Sequence, residues 1–145
     1  MTLSDTAPAK TGAVIDDFLG ALSRGDFAAA RACCTPDVRI WHSFDRITQD
    51  IDEAVRGWEG FVGAFAERAF VDARRSATTS GFVQQHLMVG RPDGGEARAW
   101  PICIVVTIRD GRIARFEEYM DRAGSYAVAD ANQTTPGLPP GGGEA

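Results

Sequence analysis

The chain has 145 residues, enough for one domain whose core can leave a cavity inside it. Its 15 basic and 20 acidic residues give a net charge of -5, without the basic footprint that nucleic acid or an anionic membrane surface requires. No apolar run approaches the roughly 18 residues of a membrane span, the first ten residues lack the pattern of a secretory signal, and a cytoplasmic location is therefore expected.

The small, polar, proline-containing residues 1–10 predict a disordered N-terminal tail. Val14, Phe18, Ala21 and Leu22 then recur at helical spacing up to Arg24-Gly25, where the glycine suits a helix C-terminus. Asp26 is placed to cap a second, shorter helix with Phe27, Ala30, Cys33 and Cys34 on one face, closed by Thr35-Pro36. A strand is predicted from Asp37 to about Ser43. Asp50 and Glu53 have capping-box spacing, opening a third helix with Val55, Trp58, Val62, Phe65 and Ala69 on one face. Gly57, Gly60 and Gly63 each weaken that helix by about 1 kcal/mol relative to alanine, which points to close packing against a sheet.

From Val71 onward the period changes to two. Strands are predicted over 74–81, 82–90, 97–109 and 112–121, with hairpin turns at Pro92-Asp93-Gly94-Gly95 and at Asp110-Gly111, the second favouring type I′. Residues 126–145, rich in proline and glycine, predict a C-terminal tail. Helices followed by an antiparallel meander indicate an α+β fold with the helices on one sheet face.

The chain has two histidines, His42 and His86, each inside a strand-like apolar segment. Alternation puts Phe82, Gln84, His86 and Met88 on one strand face, and Ala114, Phe116, Glu118 and Met120 on another. Both faces are mainly apolar with one ionisable group, as a ligand pocket requires. An imidazole, with an ordinary pKa of about 6.5, can exchange a proton with a facing carboxylate near neutral pH. Glu117, Tyr119 and Asp121 fall on the opposite face, toward the outer surface or a dimer interface. The three cysteines, two of them adjacent at Cys33 and Cys34, fit neither a disulfide framework nor a Cys-x-x-Cys motif. There is no glycine-rich phosphate loop, Gly-x-Ser-x-Gly elbow or His-x-x-x-His pair, so no metal and no cofactor are expected.

Leu22-Ser23-Arg24-Gly25-Asp26-Phe27, Pro36-Asp37-Val38-Arg39-Ile40-Trp41-His42, and Asp110-Gly111-Arg112-Ile113 through Glu118-Tyr119-Met120-Asp121 stand in a specific order. Over about residues 11–122 the chain thereby resembles the SnoaL-like branch of the nuclear transport factor 2-like superfamily. The resemblance implies one domain over 11–125, a curved sheet and three helices forming a cone around an apolar pocket, and a homodimer. Relatives on this scaffold include ketosteroid isomerases, polyketide cyclases, limonene-epoxide hydrolase, scytalone dehydratase and non-catalytic binding modules.

Carried over residue by residue, the isomerase's catalytic aspartate falls on His42, and its oxyanion-binding tyrosine and aspartic acid fall on Phe18 and Cys103. The hydrolase's base falls on Glu118, with Trp41 and Ser43 where it holds its water. The dehydratase's Gln-His pair resembles Gln85-His86, and an active-site tyrosine of that enzyme aligns with His42. No complete residue set of these three enzymes is present.

The resulting expectation is a pocket for a small hydrophobic molecule and, if the protein is an enzyme, cofactor-free dehydration, isomerisation or cyclisation. His86 is the expected principal acid or base, with Glu118 orienting it and His42 on the opposite wall. Phe18, Trp58, Val62, Phe65, Met88, Trp100, Cys103 and Phe116 would line the pocket, with Gln84 and Ser43 as polar anchors. The competing expectation is a non-catalytic binding module for a small hydrophobic ligand.

Overall fold

Helices α1 (Thr2–Arg24), α2 (Phe27–Ala32) and α3 (Ile51–Ala64) cover one face of a seven-stranded sheet. The computed structural model describes residues 2–128, with side chains from residue 12 onward. The strands are β1 (Cys34–His42), β2 (Thr48–Gln49), β3 (Glu67–Ala77), β4 (Gly81–Arg91), β5 (Arg98–Arg109), β6 (Arg112–Tyr119) and β7 (Tyr126–Ala127). They run in the order β2-β1-β6-β5-β4-β3, with β7 on β5. Every pairing is antiparallel except that of β1 with β6.

The local signals act largely as read. On α1, Ile15, Phe18, Leu19 and Leu22 form the buried stripe. Gly25 at φ 72° closes the helix, its N–H bonding to the Leu22 carbonyl while the Asp26 N–H bonds to that of Ala21, the paired bonds of a Schellman motif. Asp26 caps α2 through the Ala29 N–H. The Asp50–Glu53 capping box of α3 is formed in both directions, at 2.9 and 3.0 Å. Asp110 and Gly111 both take positive φ, as a type I′ hairpin turn demands.

Several boundaries differ from expectation. Helix α1 begins at Thr2, so the segment expected as a tail is helical from there; small polar composition resembles that of a tail, yet Ala7, Ala9 and Lys10 are good helix formers. Cys34 belongs to β1, which starts before Pro36 because the β1–β6 register is irregular between Cys34 and Arg39 and leaves room for a residue without an N–H. Helix α3 ends at Ala64, with Phe65 extended as its C-cap and Ala69 already in β3. Gly57, Gly60 and Gly63 were expected to mark close packing, but a Cβ at any of them would meet nothing within 4 Å. Strand β7 lies inside the expected C-terminal tail, pairing Tyr126 with Ala99 and Ala127 with Arg98 where β5 extends beyond β6. The rest of that expected tail, residues 129–145, lies outside the described residues.

The core lies between α1, α3 and the inner sheet face. Phe18 is 1% exposed and meets Trp58 edge-on at 5.4 Å and Phe116 at 5.3 Å. Ile102, Ile104 and Val106 of β5 and Phe82 of β4 join this cluster. At the far end of α3 the Phe65 ring lies on Gly90 of β4, and an added Cβ there would sit 2.7 Å from Phe65 Cδ1. Phe61 and Trp100 meet the same ring at 5.7 and 5.6 Å, so it has little freedom to retreat. Gly90→Ala is expected to destabilise the protein by about 1–3 kcal/mol through overpacking. Urea melts check this, and in a Phe65→Ala background the penalty should shrink, because the two positions share the contact.

Candidate active site

The parallel alignment of β1 with β6 places His42 beside Glu118 in register. Their side chains are largely buried on the inner face, with His42 Nε2 3.7 Å from Glu118 Oε1. That separation is too long for a direct hydrogen bond and close enough for both groups to touch one reacting molecule. Burial pushes the Glu118 carboxyl up to about 7. Burial also lowers His42 below its usual range, with Asp45 opposing this shift and Arg122 adding to it. The His42 ring stacks on Phe44 at 4.9 Å, and the Arg122 guanidinium lies 4.6 Å from the Phe44 ring centre.

Ser43, expected as a ligand anchor, holds this geometry instead. Its Oγ donates to the Met120 carbonyl at 3.2 Å and accepts from the Met120 N–H at 3.0 Å, while its own N–H donates to the Glu118 carbonyl at 2.9 Å. The hydroxyl is occupied by backbone and clamps the end of β1 onto the end of β6.

His86 occupies a different environment. Strand β5 separates β4 from β6, roughly 10 Å by ordinary strand spacing, and Glu118 aligns with Ile104 rather than with His86. The expected Glu118–His86 pair is therefore replaced by Glu118–His42. His86 Nδ1 lies 3.0 Å from Gln84 Nε2, and Gln84 Oε1 accepts from Arg75 Nε at 2.8 Å. Arg75 in turn pairs with Asp16 of α1. The His86 ring meets Phe70 edge-on at 5.6 Å, and burial pushes its pKa down to about 4.

The expected lining residues divide into groups. Phe18 touches both Trp58 and Phe116 in the interior, and Phe65 meets Trp100, which pairs with Met88 across β4 and β5. Trp100 Nε1 also donates to the Arg122 carbonyl at 3.0 Å, tying down the segment after β6. Val62 packs toward the α1–α2 turn, where its Cγ1 would lie 3.4 Å from a Cβ at Gly25. Gln84, fully buried, is taken up by Arg75 and His86. Cys103 is on the outer face: it aligns with Gln85 and Tyr119 between the inward Ile102 and Ile104, so strand parity removes it from the inner wall. With Leu87, Pro101, Tyr119 and Asp121 it lines an outer depression of about 500 Å³. Tyr119 falls on that face as expected and packs on Trp41 at 5.2 Å.

Asp16, Phe70 and Arg75 were not singled out from sequence. The β3–β4 register shifts between Val71 and Arg74, and Asp72 takes φ 60°, so period-two counting across β3 loses the face on which Arg75 lies. Among the described residues, no three His, Cys, Asp or Glu side chains gather as a metal site, and no helix is long and apolar enough to cross a membrane.

The family model of the SnoaL-like domain matches residues 15–116. No curated protein matches the sequence. Similar solved structures include AclR from Streptomyces galilaeus, at TM-score 0.70 and 15% identity over 79% of this chain and 90% of that one. An epoxide hydrolase of M. tuberculosis, described as LEH-like, has TM-score 0.65 and 20% identity over 79% and 85%. TerC, co-crystallised with polyporic acid, has TM-score 0.69 and 13% identity over 79% and 93%. At these identities the likeness is one of fold.

The buried carboxyl leaves a pH signature. Glu118 titrates near 4.5 when unperturbed and at about 7 in the folded chain, so between these values the folded state binds more protons than the unfolded state. Its neutral form is tolerated below about 4.5, and its ionisation progressively destabilises the fold as pH rises toward 7. His86 acts oppositely: its neutral form is stable above its ordinary 6.5, and the fold loses stability as pH falls toward about 4. The difference in unfolding free energy between wild type and Glu118→Gln, followed from pH 4 to 8 by urea melts, is expected to shift in favour of the variant as pH rises.

Proposed function

The chain belongs to the SnoaL-like domain family, and on that premise we propose that it is a cofactor-free proton-transfer enzyme acting on a small apolar organic molecule. The observation that carries this reading is the Glu118–His42 pair, two buried ionisable groups 3.7 Å apart and both pushed toward their neutral forms. Neutral imidazole is a base and a carboxylic acid is a donor, so the pair holds both halves of an acid-base reaction at once.

For a dehydration, His42 Nε2 takes the proton from the carbon next to a carbonyl, and Glu118 delivers its proton to the departing hydroxyl. The carbon–oxygen bond breaks, a carbon–carbon double bond forms and water leaves. His42 is then imidazolium beside a carboxylate. Since Glu118 titrates at about 7 and His42 below its usual range, return of the proton from imidazolium to carboxylate is downhill and resets the pair. Isomerisation uses the same groups, one removing a proton and the other supplying one at a different carbon. The aromatic side chains of Phe18, Trp58, Phe65, Trp100 and Phe116 make the inner side of the sheet suited to an apolar ring system. Co-crystallisation of TerC with polyporic acid supports an organic ligand on this fold.

In this reading His86, first expected to be the principal acid or base, takes no part in the proton transfer, because β5 separates it from Glu118 and Gln84 takes up its Nδ1. The expected homodimer is proposed to form through the outer sheet face, where Tyr119 is 47% exposed beside Trp41 and the depression lined by Leu87 and Cys103.

The reading is tested by exchange of the α-protons of 2-tetralone in heavy water, followed by proton NMR. Wild type is expected to exchange them above the buffer rate, and His42→Gln, which removes the base, to lower that enhancement by about 10²-fold or more with its melting temperature retained. Equal rates in the two proteins, or no enhancement by wild type, would overturn the assignment; retained binding of the ketone would then favour a non-catalytic binding module.

A further inference from the structure

On the inner face, between α1 and strands β3 and β4, lies a cleft of about 250 Å³ that includes Leu19, Gly20, Phe70, Ala73, Gln84 and His86 in its lining. Its volume is below that of pockets for drug-sized ligands, so it takes one ring or the end of a longer molecule. His86 is 3% exposed, and its Nε2 finds no hydrogen-bond partner among the described residues. A buried polar atom in that condition is costly, and an acceptor from a ligand would remove the cost.

The chemical state of that atom follows from a chain of bonds with a fixed direction. Arg75 carries only donors, so the Gln84 atom it contacts at 2.8 Å must be the amide oxygen. The Gln84 NH₂ group therefore faces His86, 3.0 Å from Nδ1. An NH₂ group only donates, so Nδ1 must accept and carries no proton. The proton of neutral His86 then resides on Nε2. Asp16, paired with Arg75, holds the guanidinium that orients the whole series.

We propose that His86 is a fixed neutral N–H donor within a binding cleft for an uncharged carbonyl compound, with Gln84 and Arg75 as the residues that set its tautomer. Charge selects the carbonyl over a carboxylate: the Arg75 cation is already balanced by Asp16, and a neutral imidazole in an apolar cleft does not offset the desolvation of an anion. Phe70, edge-on to the imidazole, and Leu19 supply the apolar contacts for the ring that bears the carbonyl. This site is independent of the Glu118–His42 reaction and does not require turnover.

Nitrogen-15 NMR of labelled wild-type protein near pH 7 reads the tautomer directly, and the expected result is a protonated Nε2 with an unprotonated Nδ1. A protonated Nδ1 would overturn the proposal. Arg75→Met frees the Gln84 amide to rotate, so the two His86 tautomers should become mixed; an unchanged single tautomer would remove Arg75 from the assignment. Cyclohexanone and methylenecyclohexane, titrated against the same His86 signals, differ in the acceptor oxygen. Wild type is expected to bind the ketone about 5-fold more tightly, the effect of one added hydrogen bond, and His86→Phe to lose this preference while keeping its melting transition. Equal affinities in wild type would overturn the carbonyl assignment even if the variant failed to fold.

Discussion

The parallel pairing of β1 with β6 is the constraint on which the proposed active site depends. Every other pairing in the sheet is antiparallel and joins strands that are neighbours in sequence or short edge segments, whereas this one brings the first long strand back against the last. It sets His42 beside Glu118, and the Ser43 clamp to Met120 fixes the ends of the two strands in that register. A one-residue slip of β1 along β6 would turn His42 to the outer face, away from Glu118, so the clamp and the buried pattern of Val38, Ile40 and Phe116 support the same alignment.

The same burial that stabilises the domain tunes the groups within it. Glu118 and His42 sit on an inner face made apolar by Phe18, Trp58 and Phe116, and there desolvation raises the acid and lowers the base. Their proton affinities are thereby brought within reach of each other near neutral pH. His86 shares the desolvation but not the carboxylate. Its polar partner is a glutamine whose orientation is dictated by an arginine, and this makes it a donor held in one state rather than a group that gains and loses protons. Two histidines of one chain thus acquire different chemistry from their neighbours alone.

The outer face shows the opposite use of alternation. Trp41, Cys103 and Tyr119 come from β1, β5 and β6 and lie on the side away from the helices, although each stands next in sequence to an inward residue. Phe65 on Gly90 shows how little such packing depends on helical periodicity: the ring closes α3 against β4 from a residue whose backbone is already extended.

Much of the architecture was legible in the sequence because its signals are local. Gly25, the Asp50–Glu53 box and the Asp110-Gly111 turn each specify backbone conformation through their immediate neighbours, and the period of two announces the long meander, although β3 already begins at Glu67, ahead of the expected 74–81. Parity within a regular strand likewise placed Phe82, Gln84 and His86 together, along with Phe116 and Glu118. It also placed Tyr119 on the reverse side. What local pattern could not decide was partnership. Which strand lies beside which, and in what register, determined that Glu118 meets His42 and that Gln84 is claimed by Arg75. The irregular stretch between Val71 and Arg74 concealed the face of Arg75 from period-two counting. The sequence by itself determined the helices, the turns and the residue types available for chemistry; only the tertiary structure decided which of them meet, because strand register is set by contacts between residues far apart along the chain and not by the residues next to them.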